Sequence, residues 1–565
     1  MNSLNKKQET LSQYVTGILT LSVIGGFYYI IVKNSINIPW FDDVENIPYF
    51  LVNWLKSSTL YGKWEAFIRP NNEHRVFTAR LIVLAQYYLT GKLNFKDLLF
   101  AGNLSVLIIF LFIVRGYLRQ GGKWYFILPI AFLIFNFQAY AGTFMTIMSM
   151  QYQMVIMLSV ASFYLLVKRN VPAFALAVAV ACLDTFSMGN GMVVWPSGLV
   201  LLLLQQRWKS SFIWLGAGAI SIYLYFQGPD FVQGNDKAFS YVLENPLRTF
   251  IAFFTMLGGD FDIFANVGFA RRMIIPTITG FVLFSVFATW TIAVLSVSAF
   301  WGRWIPDKAG RYLAHIYNIR NTDLRWNAFW LAILIYVLIS MGMVVFFRTR
   351  FDPHIILWST YKMYPAVMTS VVFIIVLQAL SVKIRYWFFG IMCLISAGLW
   401  WSTIVNYLPI IKNTSNARTA FAFNQKHNGV GLGATKNSAF ETMLATTLRQ
   451  VDSLGIYSLP APLIHPEEDQ VRLAGAPATA NAKAKASLEA DVLRINLLAG
   501  PAANHRRYAF LESGSNRYLF VFPLGGNEAL CPVGTIRAGT YNLAIWEISS
   551  GGLSVWNTGE QVTIQ

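Results

Sequence analysis

Two adjacent carboxylates, Asp42 and Asp43, stand in the string IPWFDDVENIPYF soon after the first apolar run. Trp40, Phe41 and Val44 crowd them with apolar surface, so desolvation and like-charge repulsion should raise at least one pKa. A carboxylate tuned in this way can accept the proton of a hydroxyl nucleophile. The plainer reading is a solvated acidic turn that ends a helix. A little further on, RPNNEHRVFTARL gathers Glu73, His74 and Arg75 between Arg69 and Arg80. Guanidinium binds phosphate bidentately, so this group could hold a phosphate headgroup. Asp42 or Asp43 could equally serve as its anionic partner, and His74 could be a packed loop histidine.

Polar side chains recur at the ends of later apolar runs. Gln151, Tyr152 and Gln153 open one of them, and DTFSMGNGMVVWP sets Asp184 and Asn190 between two others. Gly189, Gly191 and Pro196 predict a tight turn there, with the glycines allowing close helix packing. The string FFRTRFDPHIILWSTYKMYPAVM carries Arg348 and Arg350, followed by His354, Tyr361, Lys362 and Tyr364. A permanent guanidinium charge beside hydrocarbon suits a lipid-linked phosphate or diphosphate, with Tyr361 and Tyr364 beside it. Long side chains snorkelling from an aromatic belt are the alternative.

These residues must be positioned by a membrane protein. Of 565 residues, 55% are hydrophobic and only 13% charged, too little charge to cover a soluble protein of this length. Apolar runs long enough to cross ~30 Å of hydrocarbon recur from residue 11 to about residue 406. The net charge of +17 comes from Lys and Arg clustered at the ends of these runs, which reads as topology signals rather than nucleic-acid binding. Placing Lys6 and Lys7 in the cytoplasm gives about eleven spans, at 12–33, 97–114, 124–140, 151–167, 171–184, 191–206, 210–226, 273–300, 326–346, 361–380 and 387–406. The long first loop, 34–95, then lies outside with interfacial helices at 45–56 and 74–90, and so does the tail. Cytoplasmic loops are too short for a nucleotide-binding domain, and no glycine-rich phosphate loop occurs. Any activated substrate should therefore arrive in the membrane or from the outer side.

After a connecting segment at 411–486, whose alanine-rich AGAPATANAKAKASLEA reads as linker or weak helix, the pattern changes. DVLRINLLA, RRYAFLES, RYLFVFPL, TYNLAIWEI and LSVWNTGEQVTI alternate as short strands between glycine turns, predicting a small β-sandwich over 487–565. Cys182, Cys393 and Cys531 leave no disulfide within the tail, and metal-ligand spacing is absent. The expected fold is thus a mainly α polytopic membrane domain over 1–410 with a small extracytoplasmic β domain.

This pattern resembles the GT-C class of integral membrane glycosyltransferases. The matching features are the acidic pair after the first span, the long first outer loop with two interfacial helices, the late-loop arginines and the outer C-terminal domain. NNEHR, MQYQM and FSMGNGMVVWPSGL also resemble segments of bacterial members with this layout. The resemblance implies a sugar taken from a polyprenyl-phosphate donor and passed, with inversion, to an extracytoplasmic glycan, lipid or protein such as O-antigen lipopolysaccharide. It implies Asp42 as base with Asp43 supporting and donor phosphate on Arg348 and Arg350; Glu73, His74, Arg75, Gln151, Gln153 and Asn190 are read beside them as substrate-binding or supporting groups. Where many relatives carry Asp-Glu this chain has Asp-Asp, which leaves the roles of the two acids open. No cofactor is required, although Asp42, Asp43 and Glu73 could host a divalent cation. The implied setting is the bacterial inner membrane, with the tail in the periplasm. A transporter or flippase of a lipid-linked saccharide, and an outer-face acyltransferase or glycan polymerase, are the alternatives.

Overall fold

A computed structural model describes residues 2–71, 74–227, 237–265, 267–298, 300–319, 322–471, 480–502 and 504–565. The chain is mostly helical and ends in a β-sheet domain. It divides into two compact units: Met1–Lys33, Phe67–Leu81 and Leu99–Tyr407 form one, and Asn34–Ala66, Ile82–Leu98 and Leu408–Gln565 form the other.

Among the described residues, seven helices are long and apolar enough to cross a membrane: Gln13–Asn34, Phe95–Arg119, Thr146–Val167, Phe269–Ser296, Leu324–Arg348, Ser359–Ala379 and Val382–Asn428. Several such helices in one chain make a multi-pass membrane protein. The expected count of about eleven is not confirmed among the described residues. Trp124–Ile134, Val171–Thr185 and Gly189–Leu204 are apolar but shorter. Trp208–Tyr225 has 18 residues, but its lysine, serines and tryptophans make it less apolar than the seven. The run read as 124–140 breaks physically: a 3-10 turn leads into Leu128–Ile134, and helix resumes only at Tyr140. The last helix also runs past the expected end, because Pro409 is carried inside a 47-residue helix.

Local chemistry sets several of these elements. Asn170 Oδ1 caps the Val171–Thr185 helix by accepting from the Ala173 amide at 2.9 Å, as a good N-cap does. Asp323 does the same for Leu324–Arg348, accepting from the Arg325 amide at 2.9 Å. Tryptophan and glycine interlock Val194–Leu204 with Trp208–Tyr225. A Cβ on Gly198 would lie 2.5 Å from the Trp214 ring and one on Gly218 2.9 Å from Trp195, so only glycine admits this approach. The two indoles also find polar partners, Trp214 donating to the Trp195 carbonyl and Trp195 to Thr185 Oγ1, each at 2.8 Å.

In the second unit the strands are β1 Ala480–Asn481, β2 Lys483–Glu489, β3 Val492–Ala499, β4 Arg506–Ser513, β5 Asn516–Phe522, β6 Glu528–Pro532, β7 Gly539–Ser549 and β8 Gly552–Ile564. They form a five-stranded sheet ordered β1-β8-β7-β4-β5 and a three-stranded sheet ordered β2-β3-β6. Leu493, Ile495, Leu511, Phe520, Ile545 and Val562 share one core between the sheets. The other face of the large sheet, with Tyr508, Phe510, Leu519 and Trp546, packs on Ala420, Phe423 and Ile464. Burial on both faces explains why β4 and β5 read as continuous apolar runs. The alanine-rich stretch is corrected here: residues 483–489 are strand, pairing antiparallel with β3. Ala484 and Ala486 pack on the core from a lysine-alternating strand, and small apolar residues at a period of two carry too weak a signal to read. Residues 474–479 of that stretch lie outside the described residues.

Candidate functional site

The acidic pair sits on a constrained turn. Phe41 adopts a positive φ of 47°, which a non-glycine residue holds only when its surroundings enforce it. Its amide donates to the Leu432 carbonyl at 3.1 Å, and a Cβ on Gly433 would lie 2.9 Å from its ring. Asp43 is 1% exposed and its Oδ2 accepts from the Trp40 amide at 3.0 Å. Arg418, which covers the Trp40 ring, and Tyr457 both lie within electrostatic reach of it. Asp42 differs. It is half-buried, its backbone carbonyl takes the Asn46 amide at 2.9 Å, and among the described residues no donor reaches its carboxylate. Burial, reinforced by the Glu45 charge, raises its pKa. Asp43 therefore locks the turn, and Asp42 presents a carboxylate free for proton transfer. A π-helical turn, Glu45–Tyr49, follows directly.

The arginine-rich loop resolves differently from its expected reading. Arg75, 3% exposed, donates to the carbonyls of Tyr225 at 2.7 Å, Ile68 at 2.6 Å and Gln227. Arg80 likewise donates to the Phe67 and Arg69 carbonyls. Three backbone carbonyls answer the Arg75 guanidinium, so Arg75 supports the loop. Asn71 and His74 close a tight backbone pair, and the His74 ring lies against Gly189. Glu73 lies outside the described residues. The glycine turn is structural as well: a Cβ on Gly191 would lie 2.0 Å from the Asp184 carbonyl.

Several later candidates are brought together. Asn190 Nδ2 donates to the Tyr364 hydroxyl, and the Tyr336 ring lies 6.3 Å from that of Tyr364. Tyr361 meets Tyr152 edge-on at 5.7 Å, and Arg348 lies within electrostatic reach of Tyr152. Gln151 is buried beside them in sequence, and Gln153 donates to Thr143 Oγ1 at 3.2 Å. Arg350 stacks over Phe351 at 4.3 Å.

Sequence reasoning missed a buried charged centre on the turn after the Pro246–Leu257 helix. Lys362 Nζ donates to the Gly259 carbonyl at 2.8 Å and to Asp262 Oδ2 at 2.7 Å. Arg272 grips the same Asp262 through Nε at 2.7 Å and Nη2 at 2.5 Å. Burial works against the Asp262 charge, but Lys362 and Arg272 outweigh it and hold its pKa below the ordinary value. Asp260, two residues earlier and 1% exposed, is poorly served. Its Oδ1 meets Asn136 Nδ2 only at 3.4 Å and its Oδ2 has no hydrogen-bond partner. Burial pushes its pKa up to about 7 against the pull of Lys362. The available signal was GGDFDIF, two acids spaced by one residue directly after an apolar amphipathic run.

Beside this turn an apolar cavity of about 310 Å³ lies between Pro246–Leu257 and Phe269–Ser296, lined by Phe250, Phe254, Thr277, Ile278, Phe281 and Val282. Phe250, Ile278, Phe281 and Val282 are exposed, so the groove opens sideways. The helices touch backbone to backbone at its end: a Cβ on Gly258 would lie 2.0 Å from the Pro276 carbonyl, and one on Gly280 1.9 Å from that of Phe254. No group of three or more His, Cys, Asp or Glu suited to a metal ion occurs among the described residues. Compared with known proteins, the chain matches no family model, no curated protein and no solved structure.

Proposed function

We propose that this chain is a membrane glycosyltransferase of GT-C type. It would take a sugar from a polyprenyl-phosphate donor and pass it, with inversion, to an extracytoplasmic glycan, lipid or surface protein at the bacterial inner membrane. The observation that carries this reading is Asp42, a half-buried carboxylate with a raised pKa on an enforced turn. Such a group accepts a hydroxyl proton as the oxygen attacks the anomeric carbon. Arg348 and Arg350 carry the permanent positive charge that suits a lipid-linked phosphate. The sideways-open apolar groove supports a lipid-borne substrate, because an isoprenoid chain needs an apolar path from the bilayer.

The test compares envelope glycans of a deletion strain carrying wild type, Asp42→Asn or Asp43→Asn. Loss of the glycan with Asp42→Asn supports the reading, and full restoration by that variant removes Asp42 as base. Undecaprenyl phosphate binding by the purified chain should weaken in Arg348→Ala or Arg350→Ala, and unchanged binding in both sinks the phosphate assignment. A lipid-linked saccharide transporter is the second reading, favoured by the interrupted stretch between Trp124 and Phe144, since broken helices line transport paths. Movement of a labelled lipid-linked saccharide across proteoliposomes without any acceptor would select it.

A further inference from the structure

The buried centre around Asp260 has no part in the chemistry assigned to Asp42. Its make-up is unusual for a structural ion pair. Asp262 alone receives both Lys362 and Arg272, while Asp260 stands two residues away with one long hydrogen bond and an orphaned Oδ2. Gln138 Nε2 donates to the Asp260 backbone carbonyl at 2.6 Å and holds the turn in place. A buried carboxylate with so few donors is costly as an anion, and it becomes tolerable only through the nearby ammonium of Lys362.

We propose that Asp260 is a positioning residue whose protonation sets how much positive charge Lys362 and Arg272 offer to an anionic headgroup beside the apolar groove. With Asp260 neutral, one carboxylate faces two cations and the centre carries a net charge of +1. With Asp260 ionised, the charges balance and the attraction for an anion falls. The Pro246–Leu257 helix that forms one wall of the groove runs straight into this turn through Gly258. The headgroup role rests on the lipid-phosphate donor proposed above.

Among the described residues, the groups facing Asp260 come from several elements. Lys362 and Thr369 come from Ser359–Ala379, Asn136 and Gln138 from the break after Leu128–Ile134, and Asp262 on the same turn shares Lys362 with Asp260. Arg272 opens the next helix, and Tyr140 and Tyr407 face it in turn. The balance between burial and Lys362 leaves Asp260 titrating at about 7, where a small change in surroundings changes its charge. By linkage, anion binding and proton uptake at Asp260 must favour each other equally.

The test uses the full chain in neutral-lipid nanodiscs and farnesyl phosphoryl glucose, a phosphodiester whose own charge stays constant from pH 5 to 9. Wild type should bind it about tenfold more tightly at pH 6 than at pH 8, within the usual range of such couplings. Asp260→Asn should remove the pH step, and Asp260→Glu should restore it. A step that persists unchanged in Asp260→Asn overturns the proposal. Thermal unfolding without ligand supplies a second arm. The difference in midpoint between wild type and Asp260→Asn should change between pH 5 and 8, and a constant difference also overturns it. Absence of binding at both pH values overturns the donor reading and the headgroup role with it, whereas the unfolding arm still decides whether Asp260 titrates.

Discussion

At the scale of single residues, two neighbouring aspartates behave as different chemical objects. Asp43 is buried, accepts the Trp40 amide and faces Arg418, so replacing it with Asn should lower stability by about 1–3 kcal/mol, the cost of disturbing a buried charged hydrogen bond. Asp42 has no such duty, and Asp42→Asn should abolish transfer while the protein remains folded. Circular dichroism and glycan profiles of the two variants separate these outcomes. The raised pKa of Asp42, caused by burial and then Glu45, also fixes a pH dependence. Its protonated form is favoured by the fold, so its stabilising share is full below the unfolded carboxylate value of about 3.9 and is lost as pH rises through the higher folded value. Asp42→Asn should flatten that part of the stability profile.

At the scale of elements, glycines sort by what surrounds them. Gly258 and Gly280 place two helices in backbone contact, so alanine at either should force the helices apart and cost about 1–3 kcal/mol. The groove should deform with them, read as weaker binding of a farnesyl chain. Gly26, inside the Asn2–Asn34 helix, has nothing within 4 Å of a Cβ. Gly26→Ala should leave stability unchanged or raise it by up to about 1 kcal/mol, because alanine is the better helix former. Equal thermal shifts for the three variants would show that the Gly258–Gly280 crossing is not tight.

At the scale of the whole molecule, the tail is more than a strand domain attached by a linker. The end of the Val382–Asn428 helix supplies Ala420 and Phe423 to the outer face of the five-stranded sheet. Asn424 also pairs with both backbone groups of Leu519, at 3.0 and 2.7 Å. Phe423→Ala should therefore destabilise the second unit by about 3–5 kcal/mol, as large-to-small changes in a sealed core do. Hydrogen exchange at β4, β5 and β7 would report it, and unaltered protection there would contradict the packing described.

Much of the architecture was legible because it depends on local quantities. The length of apolar runs identifies Phe95–Arg119 and Leu324–Arg348, and short strand-length runs between glycine turns identify β3 to β5, β7 and β8, without knowledge of any distant residue. The Asp42–Asp43 turn was legible for the same reason, as an acidic pair among aromatics. What only the tertiary structure decided was the identity of partners. Whether Arg75 meets an acid or three carbonyls depends on segments up to 152 residues away. Residues 483–489 become strand only because β3 waits beside them. The centre at Asp260 needs Asn136, Lys362 and Arg272 from separate parts of the chain. Burial and charge pairing are sums over three-dimensional neighbours, and a linear string lists neighbours in one dimension alone.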